Sequence, residues 1–187
     1  MEKLSRTSTQ NLVEFFRIAG RLKRIPRSGW VQVGIPRSES VADHTFRTSI
    51  LCMIYSDLEG LDELKLIRMA LIHDLPEIIV GDLTPSKKTA ESEAREDTAM
   101  HQILSLLPKK QREKYMAVWN EYKKCETKEA KIVRQLEKLE MALQAKEYEQ
   151  AGSTRQSLRR FFKSAEEVIT RPKLRNLLSC LLEEQRK

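Results

Sequence analysis

Met69-Ala70-Leu71-Ile72-His73-Asp74-Leu75-Pro76-Glu77 is an apolar helical run that ends on an imidazole and a carboxylate. The apolar side chains call for burial, yet an aspartate taken into the interior is expensive unless it is paired or bound to a metal. The helix that ends here is predicted over 62–74, and Gly60 separates it from another over 41–57 that carries Asp43-His44 near its start. Antiparallel neighbours joined by so short a link could bring His44 to His73 and Asp74. Two imidazoles and a carboxylate suit a borderline divalent metal, with one more oxygen ligand completing the protein's share of the shell. The same dipeptide also reads as an ordinary hydrogen-bonding pair at a helix end, and spacing alone leaves both readings open.

Outward from this pair the pattern stays helical. Leu12, Phe15, Phe16, Ala19 and Leu22 recur at helical spacing behind the cap candidates Ser8 and Thr9. Pro26, Gly29, Gly34 and Pro36 forbid a continuous helix from Arg24 to Ser40, but Trp30, Val31, Val33 and Ile35 mark that loop as ordered against the body. Ile78 to Pro85 reads as a turn into a loop, followed by helices near 89–106, 109–124, 127–149, 156–168 and 172–185. No alternating run long enough for a sheet and no repeat is present, so the expected fold class is all-α. A chain of 187 residues argues for one domain over 1–187, with a core at about 10–150 and a helical extension over 151–187.

Several classes of protein are disfavoured. The longest apolar run, Ile50 to Tyr55, is far short of the roughly 20 residues of a membrane span, and the opening MEKLSRTST lacks a signal peptide's apolar stretch. Cys52, Cys125 and Cys180 are odd in number and far apart, so a reducing compartment is expected, the cytoplasm or the nucleus. The net charge of +7 lies wholly in residues 86–187, where Arg155, Arg159, Arg160 and Lys163 form a basic cluster. With no aromatic stacking strip or zinc-finger spacing beside it, the cluster reads as a solvated helix face rather than a nucleic-acid surface.

Glu39-Ser40-Val41-Ala42-Asp43-His44, then Ala70 to Glu77, then Gly81-Asp82-Leu83-Thr84-Pro85 resemble in order the HD-domain phosphohydrolases, specifically the 5′-deoxynucleotidase family. The likeness extends to Leu22–Trp30 and to the Ala130–Tyr148 helix. It implies an HD-type helical bundle holding one divalent metal ion (cobalt, manganese, zinc or similar) on His44, His73, Asp74 and a later aspartate, whose place is taken here by Glu137. That glutamate adds one methylene, and on a helical wheel it lies about 130° from the apolar stripe Ile132, Leu136, Leu139, Leu143, where a solvent-facing, non-ligating side chain is the other reading. The resemblance also implies catalytic roles for Glu77 at the attacking water and Asp82 at the leaving 5′-oxygen or the sugar. Arg27 and Trp30 match substrate contacts, with Thr84 as a nearby hydroxyl.

The activity so implied is metal-dependent hydrolysis of deoxyribonucleoside 5′-monophosphates to deoxynucleoside and phosphate, by a homodimer that touches no membrane. A catalytically weakened nucleotide sensor or interaction protein is the alternative that Glu137 favours. A two-metal phosphodiesterase would need further histidines, and only His101 is left.

Overall fold

The computed structural model describes residues 5–184; residues 1–4, and 185–187 with the last residue of the expected final helix, lie outside it. The first helix, α1 (Arg6–Ala19), starts earlier than expected because the Ser5 hydroxyl accepts the Ser8 N–H at 3.1 Å. Ser8 and Thr9 fall inside its first turn. A 3₁₀ turn (Gly20–Arg24) follows, and the chain then enters the expected loop. The loop is closed at its neck by Arg27 N–H to the Glu39 carbonyl (3.0 Å) and Val41 N–H to that of Ile25 (2.8 Å). Within the neck sits one helical turn that periodicity did not reveal, α2 (Ser28–Gln32). Its first N–H is capped by the Asp82 carboxylate from 54 residues away, and Trp30 points inward from it, 2% exposed.

Ser40 and Asp43 form a capping box at the start of α3 (Val41–Glu59), and Gly60, at φ 61°, ends that helix in the left-handed conformation glycine favours. Asp62 caps α4 (Glu63–Ile72). This helix stops at Ile72 rather than running to Asp74. Proline at 76 has no N–H and its ring would strike the carbonyl of residue 72. His73 to Pro76 therefore turn sharply, and Glu77 opens a separate short helix, α5 (Glu77–Val80).

The chain continues through a 3₁₀ turn (Pro85–Lys87) into α6 (Ala90–Leu104), α7 (Lys109–Lys124) and the long α8 (Lys128–Gln150). It closes with α9 (Arg155–Val168) and α10 (Pro172–Glu183). No strand occurs among the described residues, only an isolated bridge between Pro26 and Ser40.

α8 is the axle of the core: it packs against α3, α4, α7, α9 and α10. Its Ile132, Leu136 and Leu139 meet Cys52, Leu66 and Met69 in one apolar cluster that also takes in Leu158, Phe162, Leu174, Leu178 and Leu181 of the last two helices. Two polar side chains of α8 tie down both ends of α10. Gln135 Oε1 accepts the N–H groups of Thr170 and Arg171, each at 2.9 Å, and Lys146 Nζ donates to the Glu184 carbonyl at 2.5 Å.

Because the Ser40 cap sets where α3 begins, Ser40→Ala should lower stability by about 1 kcal/mol. Urea denaturation checks this, and an unchanged midpoint would show that the capping box contributes nothing.

Candidate active site

The turn after α4 and the first turn of α3 meet against the pocket-facing side of α8. The rings of His44 and His73 lie 5.7 Å apart. Asp74 Oδ2 stands 3.2 Å from His73 Nε2 and 3.9 Å from His44 Nε2, and the donor atoms of all three residues lie within 4.8 Å of one another. Each imidazole is oriented through its other nitrogen. His73 Nδ1 donates to the Ala70 carbonyl at 2.7 Å, one turn back along the helix. His44 Nδ1 bonds to Glu140, which is fully buried on α8 and also accepts Arg47 Nε at 2.9 Å. Both Nε2 atoms are thereby presented to the cluster.

The electrostatics fit a cation at this point. Asp74 Oδ2 is buried and has no hydrogen bond. Burial alone would raise its pKa, yet His73, Arg27 and His44 hold the carboxyl well below the usual carboxylate range. Burial likewise opposes a charge on His73, but Asp74 and Glu137 lift its pKa to about 9. Both shifts favour positive charge at this point. An orphaned anionic oxygen beside two imidazole nitrogens can hold a metal ion.

Glu137 turns toward this cluster and away from solvent. Its Oε1 lies 3.7 Å from His73 Nε2 and accepts the Tyr122 hydroxyl at 2.6 Å. The helical wheel allowed exposure here, but the side of α8 opposite its apolar stripe forms a cavity wall together with Tyr122 of α7 and Arg160 and Phe161 of α9.

Asp82 and Arg27 complete the floor. Asp82 Oδ2 accepts the Ser28 N–H at 2.5 Å while its own carbonyl accepts the Ser28 hydroxyl at 2.7 Å, locking the 81–85 loop to α2. Arg27 Nη1 lies 3.5 Å from Asp74 and 3.7 Å from Asp82. Burial, with Asp74 and Asp82 alongside, pushes the Glu77 carboxyl well above its usual range, and its Oε2 is buried without a hydrogen bond. Glu77 reaches the site by way of the Pro76 turn, not along a continued α4.

Trp30 is both a core anchor and a wall: its Nε1 donates to Glu39 at 2.8 Å and its ring lies 3.9 Å from that of Phe161. Thr84 Oγ1 accepts Gln32 Nε2 at 3.2 Å. Every site residue singled out from sequence lines one cavity of about 640 Å³. His101 does not, being exposed on α6 with Nδ1 bonded to the Asp97 carbonyl.

Sequence reasoning missed Glu140, Arg47 and Tyr122. Glu140 left a signal, since it sits about 70° from the centre of the apolar stripe of α8, a costly place for an unpaired carboxylate. Arg47 and Tyr122 left none. The basic cluster stays largely solvated, with Lys163 near Glu167 and Arg155 near Glu149, but Arg160 bends over the cavity mouth to the Gly29 carbonyl at 2.8 Å.

An all-helical core in which a His-Asp pair at one helix end meets a histidine from the preceding helix is the hallmark of an HD-domain hydrolase. The HD-domain family pattern matches residues 19–175. The chain belongs to this family and, within it, to the 5′-deoxynucleotidases. It is 39% identical over 178 residues to the human 5′-deoxynucleotidase HDDC2, spanning 94% of this chain and 87% of that protein. It is 34% identical to the 5′-deoxynucleotidase hdd1 of Schizosaccharomyces pombe, over 94% and 90% of the two chains. Among solved structures, a conserved hypothetical protein from Pyrococcus furiosus superposes with a TM-score of 0.76 at 31% identity, covering 92% of this chain and 99% of that one.

Glu140→Ala would strand His44 and Arg47 without their shared acceptor. Breaking a buried pair in this way should cost about 3–5 kcal/mol in chemical denaturation, whereas a loss within ordinary surface scatter would mean that Glu140 does not hold His44.

Proposed function

We propose that this chain is a metal-dependent phosphoric monoester hydrolase that converts deoxyribonucleoside 5′-monophosphates to deoxynucleoside and phosphate. The observation that carries the reading is the orphaned Asp74 Oδ2 between two oriented imidazoles, opening on the same cavity as Glu77, Asp82 and Arg27. His44, His73 and Asp74 are the ligands we assign to one divalent ion of the cobalt, manganese and zinc class, with Glu137 as the fourth. When bound, such an ion neutralises phosphate oxygens and lowers the pKa of its water.

The chain's own groups do the rest. Arg27, whose charge Asp74 and Asp82 hold in place, offers paired donors to the phosphate. Glu77 is unusually basic for a carboxylate because of its burial, which suits Oε2 to accept a proton from the attacking water. Asp82, beside Glu77, passes the proton that Glu77 takes up on to the leaving 5′-oxygen. Trp30 walls the sugar side, and Thr84 adds a hydroxyl beside it. The direction in which Tyr122 holds Glu137 supports the enzyme over a weakened nucleotide sensor, because a carboxylate kept beside His73 is one kept for the cluster.

The proposed homodimer draws support from α3. The late-helix leucines Leu174, Leu178 and Leu181 are spent on the chain's own core. α3, in contrast, leaves an apolar stripe outside the core: Phe46 (67%), Ile50 (40%), Ile54 (50%) and Leu58 (66%), four residues apart, are exposed. A contiguous exposed apolar stripe of this kind marks a surface that a partner covers. A second copy of this same stripe is the occupant we propose. We place the protein in the cytoplasm, a reading supported by three unpaired cysteines and by the lack, among the described residues, of any helix long and apolar enough to cross a membrane.

Purified protein supplied with cobalt, manganese or zinc should release phosphate from deoxy- but not ribonucleoside 5′-monophosphates. His73→Ala and Asp74→Ala should lose both metal and activity. Glu77→Ala should keep its metal and lose about 10²-fold or more in turnover. Full metal content in the first two variants would sink the ligand assignment, and wild-type turnover in the third would remove Glu77 from the chemistry.

Light scattering tests the dimer. Ile50→Asp should halve the apparent mass with helicity unchanged, while a wild-type monomer at micromolar concentration would refute the α3 interface.

A further inference from the structure

The cavity is lined by a lysine that, among the described residues, has no hydrogen-bond or ion-pair partner. Arg27 is engaged by Asp74 and Asp82, and Lys88 by Glu96 at 3.1 Å. Arg160 donates to Gly29 and Gln32, and the Arg134 guanidinium lies over the Tyr122 ring at 4.9 Å. Lys138 also lines the cavity and is only partly exposed, yet among the described residues its ammonium has no hydrogen bond, ion pair or ring contact. Lys146, buried on the same helix, is by contrast tied to Glu149 and to the Glu184 carbonyl.

A lysine stem is long and flexible enough to carry its charge out to water when nothing holds it. Lys138 instead sits on the cavity-facing side of α8, next to Glu137 and one turn beyond Arg134. Arg27, Arg134 and Lys88 line the same cavity, so positive charge gathers on the side that Lys138 shares. Positive charge concentrated on one cavity wall attracts an anion. Arg27, meanwhile, is already shared between two carboxylates, so a phosphate dianion would find its cationic demand incompletely met on that side.

We infer that Lys138 is a substrate-binding residue whose ammonium receives a non-bridging oxygen of the substrate's phosphate, opposite Arg27. This rests on the reading of the cavity as a phosphomonoester site, and it assigns a specific side chain to recognition of the phosphate rather than of sugar or base.

The test uses metal-loaded wild type, Lys138→Met, which keeps length without charge, and Lys138→Arg. Three measurements are made on each: bound metal per chain, calorimetric affinity for inorganic phosphate and for an unphosphorylated deoxynucleoside, and KM with kcat for a deoxynucleoside monophosphate. A hydrogen bond to a charged group predicts that Lys138→Met weakens phosphate affinity about tenfold or more and raises KM comparably. Metal content and deoxynucleoside affinity should hold, and Lys138→Arg should recover most of the loss. Unchanged phosphate affinity in Lys138→Met overturns the assignment. So does an equal loss of deoxynucleoside affinity, or a loss of metal, which would mean that Lys138 acts through Glu137. If wild type hydrolyses no monophosphate, the proposed reaction fails, and the phosphate and deoxynucleoside affinities alone still decide whether Lys138 binds the anion.

Discussion

A buried carboxylate with no hydrogen bond on its inner oxygen, Asp74, is the constraint around which the rest of the protein is arranged. Left alone it would cost more than a small domain can spare. Two histidines and Arg27 lie within 4 Å of it, and each comes from a different local device. The Ser40 capping box starts α3 so that His44 falls in its first turns; Pro76 stops α4 so that His73 and Asp74 turn inward together; the bridge between Pro26 and Ser40 clamps the loop that carries Arg27. Helix caps and turns, which look like local matters of stability, here determine where charge sits.

α8 meets this demand with two faces of opposite character. One carries Ile132, Leu136 and Leu139 into the core, and the other carries Arg134, Glu137, Lys138 and Met141 into the cavity. Glu140 lies between them, where it can be wholly buried and still reach both His44 and Arg47. Although burial works against its charge, those two cations keep its carboxyl below the ordinary range. Orientation of the first imidazole therefore depends on a residue that belongs as much to the core as to the site, and the stability and function of this helix cannot be varied independently.

Much of this was legible in the sequence because it is written in local terms. Apolar spacing and Gly/Pro punctuation place most helices to within a few residues, and the HD-type motifs place His44, His73, Asp74, Glu77 and Asp82 around one cavity. What escaped is long-range. α2 forms because Asp82 caps it from 54 residues away, which no window of sequence contains. Glu137 looked as ready for solvent as for the cluster because a helical wheel shows which residues share a face but not what stands opposite. Tyr122, fifteen residues earlier, decides it.

The same limitation applies to the last two helices. Motif likeness ends near residue 150, and what it could not show of the helical extension over 151–187 is that Phe161 of α9 lies against Trp30 and Arg160 holds the Gly29 carbonyl. A Cβ added at Gly29 would meet the Phe161 ring at 3.1 Å, a tight contact that would press α2 and α9 apart by a few tenths of an ångström. α9 in turn packs along α8, and Gln135 of α8 caps the start of α10. The loop that presents Arg27 and Trp30 is thus supported from behind by the C-terminal helices. Contacts with α9 hold the outer wall of the cavity in place, and a disturbance of α9 would reach the loop residues that line the cavity through Trp30 before it reached the histidines.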